Sequence, residues 1–399
     1  MQPLFLICGF ILSVLLGLIL IPNILLVSHK KHLFDMPDAR KVHTAPIPRL
    51  GGLAFFPVIL ITVFLVSAVS IILQAEATQN VLIQTFLLLF SGMTMLYLVG
   101  EADDLVGVGY RYKFLVQAIA AILVVLSGNW LHSFAGLLGI GEVPAWIGMP
   151  ATVFVVIFIT NAINLIDGID GLASGLSIIA LLTIAGLLFM HSGFIYALLA
   201  VSTLGIVVVF WFYNVFGNAR KGHKLFMGDT GSLTLGYILS FLVIYLSQDA
   251  QGEECTREMI IAFSALLIPL FDVVRVTLHR LRKHRNPFLP DKNHIHHKLI
   301  RAGMKKIRNV LMTIIGIDLF FIAFNALLAE RMNVTILVLL DIAIYTGMHL
   351  IINHFIRKNN GGPSFIPAEE LAKSEPELAK ELGMEEKEKT SEEDENGQN

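Results

Sequence analysis

Again and again along this chain, apolar residues run on for the length at which a helix crosses a bilayer, roughly 17 to 25 residues for about 30 Å of hydrocarbon. Such runs lie near 3–27, 50–73, 83–100, 114–128, 149–162, 175–191, 193–213, 230–247, 258–279, 309–328 and 333–355, the fourth and fifth being short. A chain of 399 residues that is 55% hydrophobic and only 15% charged, with a mean hydropathy of +0.72, is too apolar for one soluble core. The expected fold is therefore all-α, a polytopic integral membrane protein with about 11 transmembrane helices. A further apolar piece, WLHSFAGLLGIG (130–141), is too short to span and reads as re-entrant or interfacial. MQPLF carries no basic n-region, so the first run reads as a helix and not as a cleaved signal peptide. Cys8 in that helix and Cys255 in a loop lie too far apart in depth to pair.

Lysine and arginine fall mainly in one set of loops. That set holds HKKHLFDMPDARKVHTAPIPR (29–49), GYRYK (109–113), NARKGHK (218–224), the 280–308 segment and the C-terminal tail; Arg257 and Arg331 are the clear members of the other. The positive-inside rule then puts the basic loops in the cytoplasm, the N-terminus outside and the C-terminus inside. A net charge of −2 conceals this asymmetry because residues 368–399 are rich in Glu. The expected organisation is a membrane domain over 1–355 and an acidic tail over 356–399, disordered or loosely helical and solvating.

On this topology the polar motifs EADDLVG (101–107), NLIDGIDG (164–171), FMGDTGS (226–232) and NHIHHKL (293–299) share the cytoplasmic face. Adjacent Asp103 and Asp104 repel each other and call for a cation, and Lys113 lies nine residues on. The pair suits a Mg²⁺ or acid–base site, or is an incidental pair in a solvated loop. Asn164, Asp167 and Asp170 recur every three residues and would project from one side of a helical or near-helical turn, with Gly168 and Gly171 letting backbone approach a ligand. Turn chemistry alone needs fewer oxygens than this stretch supplies. Asp229 sits between Gly228 and Gly231, while Thr230 and Ser232 can cap the following helix, whose N-terminus also favours phosphate. His294, His296 and His297 are crowded by cations, which suits phosphate or sugar donors better than zinc, although anionic lipid explains the same basic charge. In the first basic loop Arg40, Lys41, His43 and Arg49 either line the same anionic pocket or merely precede a Pro- and Gly-rich helix start. Intramembrane Asp318, Asp341 and His349 raise a rival reading, a cation-coupled transporter, against which stands the lack of an internal repeat; Asp272 and Arg275 read as an i,i+3 pair.

Taken together, DARKVHTAPIPRLGG, EADDLVGVGYRYKFLVQ, NAINLIDGIDGLASG, LFMGDTGS, IPLFDVVRV and DKNHIHHKLIRAG over nearly all of 1–355 resemble the polyprenyl-phosphate N-acetylhexosamine-1-phosphate transferases. HIHHKLIRAG and PIPRLGG resemble the branch that uses UDP-N-acetylglucosamine, because Ile295 interrupts the three consecutive histidines usual in the muramoyl-pentapeptide branch. The resemblance implies transfer of a sugar 1-phosphate from a UDP-sugar to undecaprenyl phosphate at the bacterial inner membrane, releasing UMP and beginning a cell-envelope glycan. It implies Mg²⁺, or Mn²⁺ in its place, held by Asn164 and Asp229. Asp103 and Asp104, with Asp167, would be catalytic. Lys113 would contact the phosphates, Asp170 and Phe226 would hold uracil, His294, His296 and His297 would face the diphosphate and sugar, and Arg49 is a further substrate-binding candidate. The expected partners are the UDP-sugar, undecaprenyl phosphate and membrane lipid, with a homodimer allowed and no nucleic acid. Another UDP-sugar, such as a muramoyl, GalNAc or deoxy-HexNAc donor, is the nearest alternative. One phosphoanhydride replaces another, so no ATP is needed, and the obstacle is repulsion between an anionic acceptor and an anionic donor.

Overall fold

The structure, a computed structural model, describes residues 2–34, 46–74, 80–190, 193–247, 256–283 and 292–359. Arg40, Lys41 and His43 and the acidic tail lie outside the described residues. Backbone groups in hydrocarbon have no water to bond, so apolar runs of this length satisfy them internally as helices. The helices are α1 (Gln2–Lys31), α2 (Phe55–Gln74), α3 (Asn80–Val106), α4 (Tyr110–Leu126), α5 (Ala145–Ile166), α6 (Leu172–Met190) and α7 (Phe194–Phe216). They continue as α8 (Gly228–Leu246), α9 (Thr256–Ser264), α10 (Leu267–Arg282), α11 (Ile295–Arg301), α12 (Ile307–Leu328) and α13 (Val334–Lys358).

Among the described residues nine helices are long and apolar enough to cross a membrane, or ten if α9 and α10, bent by 68° at their junction, form one span. The expected run at 114–128 falls mainly in α4, which has 17 residues. Helix α13 runs on to Lys358, past the expected domain boundary at 355.

Helix α8 is the axis of the bundle. In its most apolar stretch 89% of residues are buried inside the protein, against 28% in α13, whose remaining side chains face outward. Small residues let neighbours come close to it, as at lipid-embedded interfaces generally. A methyl on Gly236 would lie 2.7 Å from the Cα of Thr160 in α5, and one on Gly100 of α3 would lie 2.5 Å from the Cα of Thr230. Tyr237 donates a buried hydrogen bond to Ala120 O of α4 at 3.1 Å.

The 130–141 segment, expected to be re-entrant or interfacial, forms an antiparallel hairpin, β1 (Ser133–Leu137) with β2 (Ile140–Glu142). Gly136 and Gly139 take positive φ at its turn, and Leu138 N–H donates to Thr335 Oγ1 at the start of α13. It joins the C-terminal end of α4 to the N-terminal end of α5, so it caps the end of the bundle opposite Lys113 and Asn164. In the α12–α13 hairpin, Asp341 accepts from Asn325 at 3.1 Å, His349 Nδ1 lies 3.4 Å from Lys298 Nζ, and Asp318 is fully buried.

Candidate active site

The four polar motifs meet at one end of the bundle, around the first turn of α8. A helix start leaves several backbone N–H groups without partners. Here the cap does not come from the motif's own Thr or Ser, as the sequence suggests, but from α3. Asp104 Oδ1 accepts the N–H of Asp229 at 2.8 Å, and its Oδ2 accepts the N–H of Thr230 at 3.0 Å and the Thr230 hydroxyl at 2.6 Å. Both oxygens of Asp104 are thus engaged in fixing the backbone that carries Asp229. Gly228 is required at this join: it holds φ +72°, and any Cβ would overlap Arg49 O and the Asp104 carboxylate.

Asp103, next in the chain, turns to the side chain of Asp229 and not to its backbone. Its Oδ1 accepts Val108 N–H at 2.8 Å and lies 3.2 Å from Lys113 Nζ. That ammonium also donates to Asp229 Oδ2 at 2.9 Å, so Lys113 bridges two carboxylates from different motifs. Asn164, in the last turn of α5, donates to Ser232 Oγ at 2.8 Å, and Ser232 donates to Gly228 O at 3.1 Å. Helix α5 stops at Ile166, so Asn164, Asp167 and Asp170 do not share one helical stripe; a turn carries the two aspartates past its end. Burial, together with the neighbouring Asp170, Asp229 and Asp104 carboxylates, pushes the Asp167 carboxyl up to about 7 against the pull of the Arg49 guanidinium.

Arg49 reaches this place because its loop is docked on the FMGDTGS segment by a short backbone ladder. Phe226 N–H donates to Pro48 O at 2.7 Å, Gly51 N–H to Phe226 O at 2.9 Å and Gly52 N–H to Met227 O at 2.8 Å. The partly exposed Phe226 ring is thereby held on a fixed strip of backbone. Asp170 pairs with Lys224, two residues before Phe226. Asn214 of α7 ties the two strips together, accepting Gly171 N–H at 2.6 Å and donating to Leu225 O at 2.8 Å.

The histidine motif closes the other side. His296 is buried against Gly168, where a methyl group would overlap its Nε2 and Cε1. The His294 ring stands parallel to it, centroids 6.1 Å apart and interplanar angle 4°, and the His297 ring centroid lies 4.2 Å from it. Burial among His297 and His294 pushes His296 well below its ordinary value, so the ring is neutral at physiological pH. Burial and the nearby Arg275 and Arg301 likewise bring the Lys298 ammonium down to about 7.

All twelve site residues expected from the sequence are therefore placed at this one end. Lys224, Ser232, Thr230, Asn214 and Asp272 belong to the same structure and were not singled out for it. Lys224 is visible in the sequence only as one of the cations of NARKGHK (218–224), and nothing in the pattern marks it as the partner of Asp170. Asp272 was read as the mere i,i+3 partner of Arg275, which it is at 2.7 Å, but it also receives His294.

The donor chemistry fits a hard divalent cation. Five carboxylates (Asp103, Asp104, Asp167, Asp170, Asp229) interact here with three side-chain cations (Lys113, Lys224, Arg49), leaving two negative charges in excess if all are ionised. Among the described residues no three His, Cys, Asp or Glu side chains form a ready-made cage, so an ion held by Asn164 and Asp229 would take further oxygens from phosphate and water.

A family model described as glycosyl transferase family 4 matches residues 86–247, which include the first three motifs but neither the 46–52 loop nor the histidines. The chain is 34% identical over 315 residues to a probable undecaprenyl-phosphate N-acetylglucosaminyl 1-phosphate transferase of Bacillus subtilis, covering 76% of this chain and 80% of that one. It is 31% identical over 352 residues to a decaprenyl-phosphate N-acetylglucosaminephosphotransferase of Mycobacterium leprae, covering 81% and 84%. It is 30% identical over 309 residues to an undecaprenyl-phosphate alpha-N-acetylglucosaminyl 1-phosphate transferase of Yersinia pestis, covering 77% and 80%.

Proposed function

The chain belongs to the polyprenyl-phosphate N-acetylhexosamine-1-phosphate transferases of glycosyl transferase family 4, and from that premise we propose that it moves GlcNAc-1-phosphate from UDP-GlcNAc to undecaprenyl phosphate, releasing UMP. The observation that carries the chemistry is the bridge Asp103–Lys113–Asp229, set on a helix start that Asp104 holds. An oxygen of the lipid phosphate attacks the sugar-bearing phosphorus of the donor, and the bond from that phosphorus to the bridging oxygen breaks; one anhydride forms as one is lost. In this reading Lys113 and Arg49 offset the repulsion between acceptor and donor phosphates. Asp104 acts through Asp229 by fixing its backbone, and Asp103 aims Lys113. Any proton left on the acceptor phosphate, whose second ionisation lies near about 6, passes to Asp167, the carboxyl moved to the neutral range. Asp170 with Lys224 meets the uracil edge, Phe226 stacks on the ring, and His294, His296 and His297 face the diphosphate and sugar. Mg²⁺ or Mn²⁺ at Asn164 and Asp229 would supply charge neutralisation on the diphosphate.

We place this end of the bundle at the cytoplasmic face of a bacterial inner membrane, with eleven crossings, the N-terminus outside and the C-terminus inside. Lys30, Lys31, Arg49, Lys113, Lys224 and Arg282 lie at this end, whereas Arg257 and Arg331 lie at the hairpin end. A soluble nucleotide and a lipid-anchored phosphate can meet only there. The chain as far as the end of α13 at Lys358 forms the catalytic membrane domain, and an acidic tail follows it. One chain supplies every motif, so a homodimer is not needed to complete the site.

The test is a detergent-solubilised reaction with labelled UDP-GlcNAc, undecaprenyl phosphate and Mg²⁺. Labelled lipid with equimolar UMP is expected; product only from another UDP-sugar would move the donor assignment, and product from none would overturn the reading.

A further inference from the structure

Asp272 is fully buried in α10, on the histidine side of the site, and five polar contacts converge on it. His294 Nδ1 donates to Oδ2 at 2.8 Å, and the N–H of Ile295, the first residue of α11, lies 3.1 Å from each oxygen. Arg275 Nη2 donates to Oδ1 at 2.7 Å, and the Tyr345 hydroxyl of α13 reaches the same oxygen at 3.4 Å. Arg275 Nη2 also donates to Asn293 O at 2.6 Å, so the residue before His294 is held from the same side. A lone carboxylate at this depth would be costly to leave charged, and a guanidinium with this many donors supplies the compensation.

Three consequences follow for His294. Accepting the Nδ1 proton fixes the ring tautomer and leaves Nε2 as the nitrogen available to a ligand. Clamping Asn293 O and Ile295 N–H on either side fixes the backbone of His294 itself. The His294 ring lies parallel to that of His296 with centroids 6.1 Å apart, and His296 lies against Gly168, so fixing His294 also fixes its place relative to the Asp167–Asp170 turn. The bonds run from α10 and α13 to residues 293–295, and none of them serves α10 alone except the Arg275 pair.

We infer that Asp272 is a positioning residue for the sugar-phosphate donor: it acts through His294, presenting Nε2 to the donor, and has no direct part in binding the lipid acceptor. This rests on the proposed reading of the site. A role confined to holding α10, α11 and α13 together would instead be indifferent to which substrate is varied and to whether His294 is present.

The experiment is a double-mutant cycle with Asp272→Asn and His294→Ala in the full-length protein, read as KM for UDP-GlcNAc, KM for undecaprenyl phosphate and kcat. Wild-type transfer is measured first, so a failed functional reading shows there and not in the cycle. Asp272→Asn alone is expected to raise the KM for UDP-GlcNAc about tenfold and leave the acceptor KM within about twofold, while costing less than about threefold when His294 is already Ala. Multiplicative losses in the double variant, or equal effects on both KM values, overturn the inference. Should Asp272→Asn fail to accumulate in the membrane, Tyr345→Phe removes one donor from the same carboxylate and leaves its charge in place. It should give about a two- to fivefold rise in donor KM that vanishes in the His294→Ala background, and persistence of that rise there overturns the inference equally.

Discussion

Replacing Asp103 and Asp104 one at a time should give opposite kinds of damage. Asp104 accepts two N–H groups and a hydroxyl at the start of α8. The Thr230 hydroxyl can turn to another acceptor, but the two N–H groups cannot, and each buried unsatisfied donor costs about 1–3 kcal/mol, so Asp104→Ala loses about 2–6 kcal/mol. Asp104→Asn keeps one acceptor oxygen and loses about half of that. Asp103→Asn can still accept Val108 N–H and gives up only the pairing with Lys113, where both side chains are partly exposed, 23% and 18%, so the stability cost stays below about 1 kcal/mol. The assay is thermal unfolding of the detergent-solubilised protein alongside transferase activity measured well below the transition. Asp103→Asn is expected to unfold with the wild type and lose about 10²-fold or more in kcat. Asp104→Asn is expected to unfold several degrees lower and to keep measurable turnover in the cold. An Asp104→Asn protein with wild-type Tm and no activity would refute this, because it would make that carboxylate a reacting group instead of a cap.

Three further outcomes are expected. Asp229→Asn should insert normally yet lose turnover by about 10²-fold or more, and chelation should abolish wild-type turnover until Mg²⁺ or Mn²⁺ is restored; full activity in either test removes Asp229 from a metal site. Asp167 is neutral below about 7 and charged above it, so kcat/KM should rise with pH through that region, and the acid limb should be missing in Asp167→Asn; an unchanged midpoint in the variant assigns the limb elsewhere. Lys298 has its folded-state value lowered to about 7 while the unfolded chain titrates near about 10.4, so between these values the unfolded chain binds more protons and stability rises with pH. Lys298→Met should flatten that rise and raise the Tm at pH 6 more than at pH 9, both pH values being choices on either side of about 7; equal shifts at the two would place the ammonium in water.

Much of the fold was written in hydrophobic length, because in a bilayer the only open question for a long apolar run is where it ends. Two features escaped that rule. The 130–141 segment is as apolar as a span fragment, yet Gly136 and Gly139 at positive φ turn it back on itself as a hairpin, and an apolar run too short for a span does not distinguish the two outcomes. The junction of α9 and α10 reads as one continuous run because Ala265 and Leu266 are as oily as their neighbours, yet Pro269, which has no N–H to give the carbonyl of Ala265 and crowds it, marks the 68° bend there.

The site shows the same division between what pattern reveals and what only packing reveals. Carboxylates, glycines and histidines at one membrane face are visible as letters, and so is the need for a cation near Asp103 and Asp104. Which of the two aspartates would meet it was not legible, because the letters are identical and the answer depends on which helix lies on which side of α3. Yet one part of the answer follows from helix geometry alone. Successive residues on an α-helix point about 100° apart, so two adjacent aspartates at a helix end reach different groups of what lies beside it. With Asp103 turned to Lys113 and the Asp229 side chain, Asp104 is left to face the backbone at the start of α8, which needs acceptors. An Asp-Asp pair on a helix end is thus a device for two tasks, one carboxylate setting a charge in the cleft while its neighbour fixes the backbone on which the next charge, Asp229, is carried.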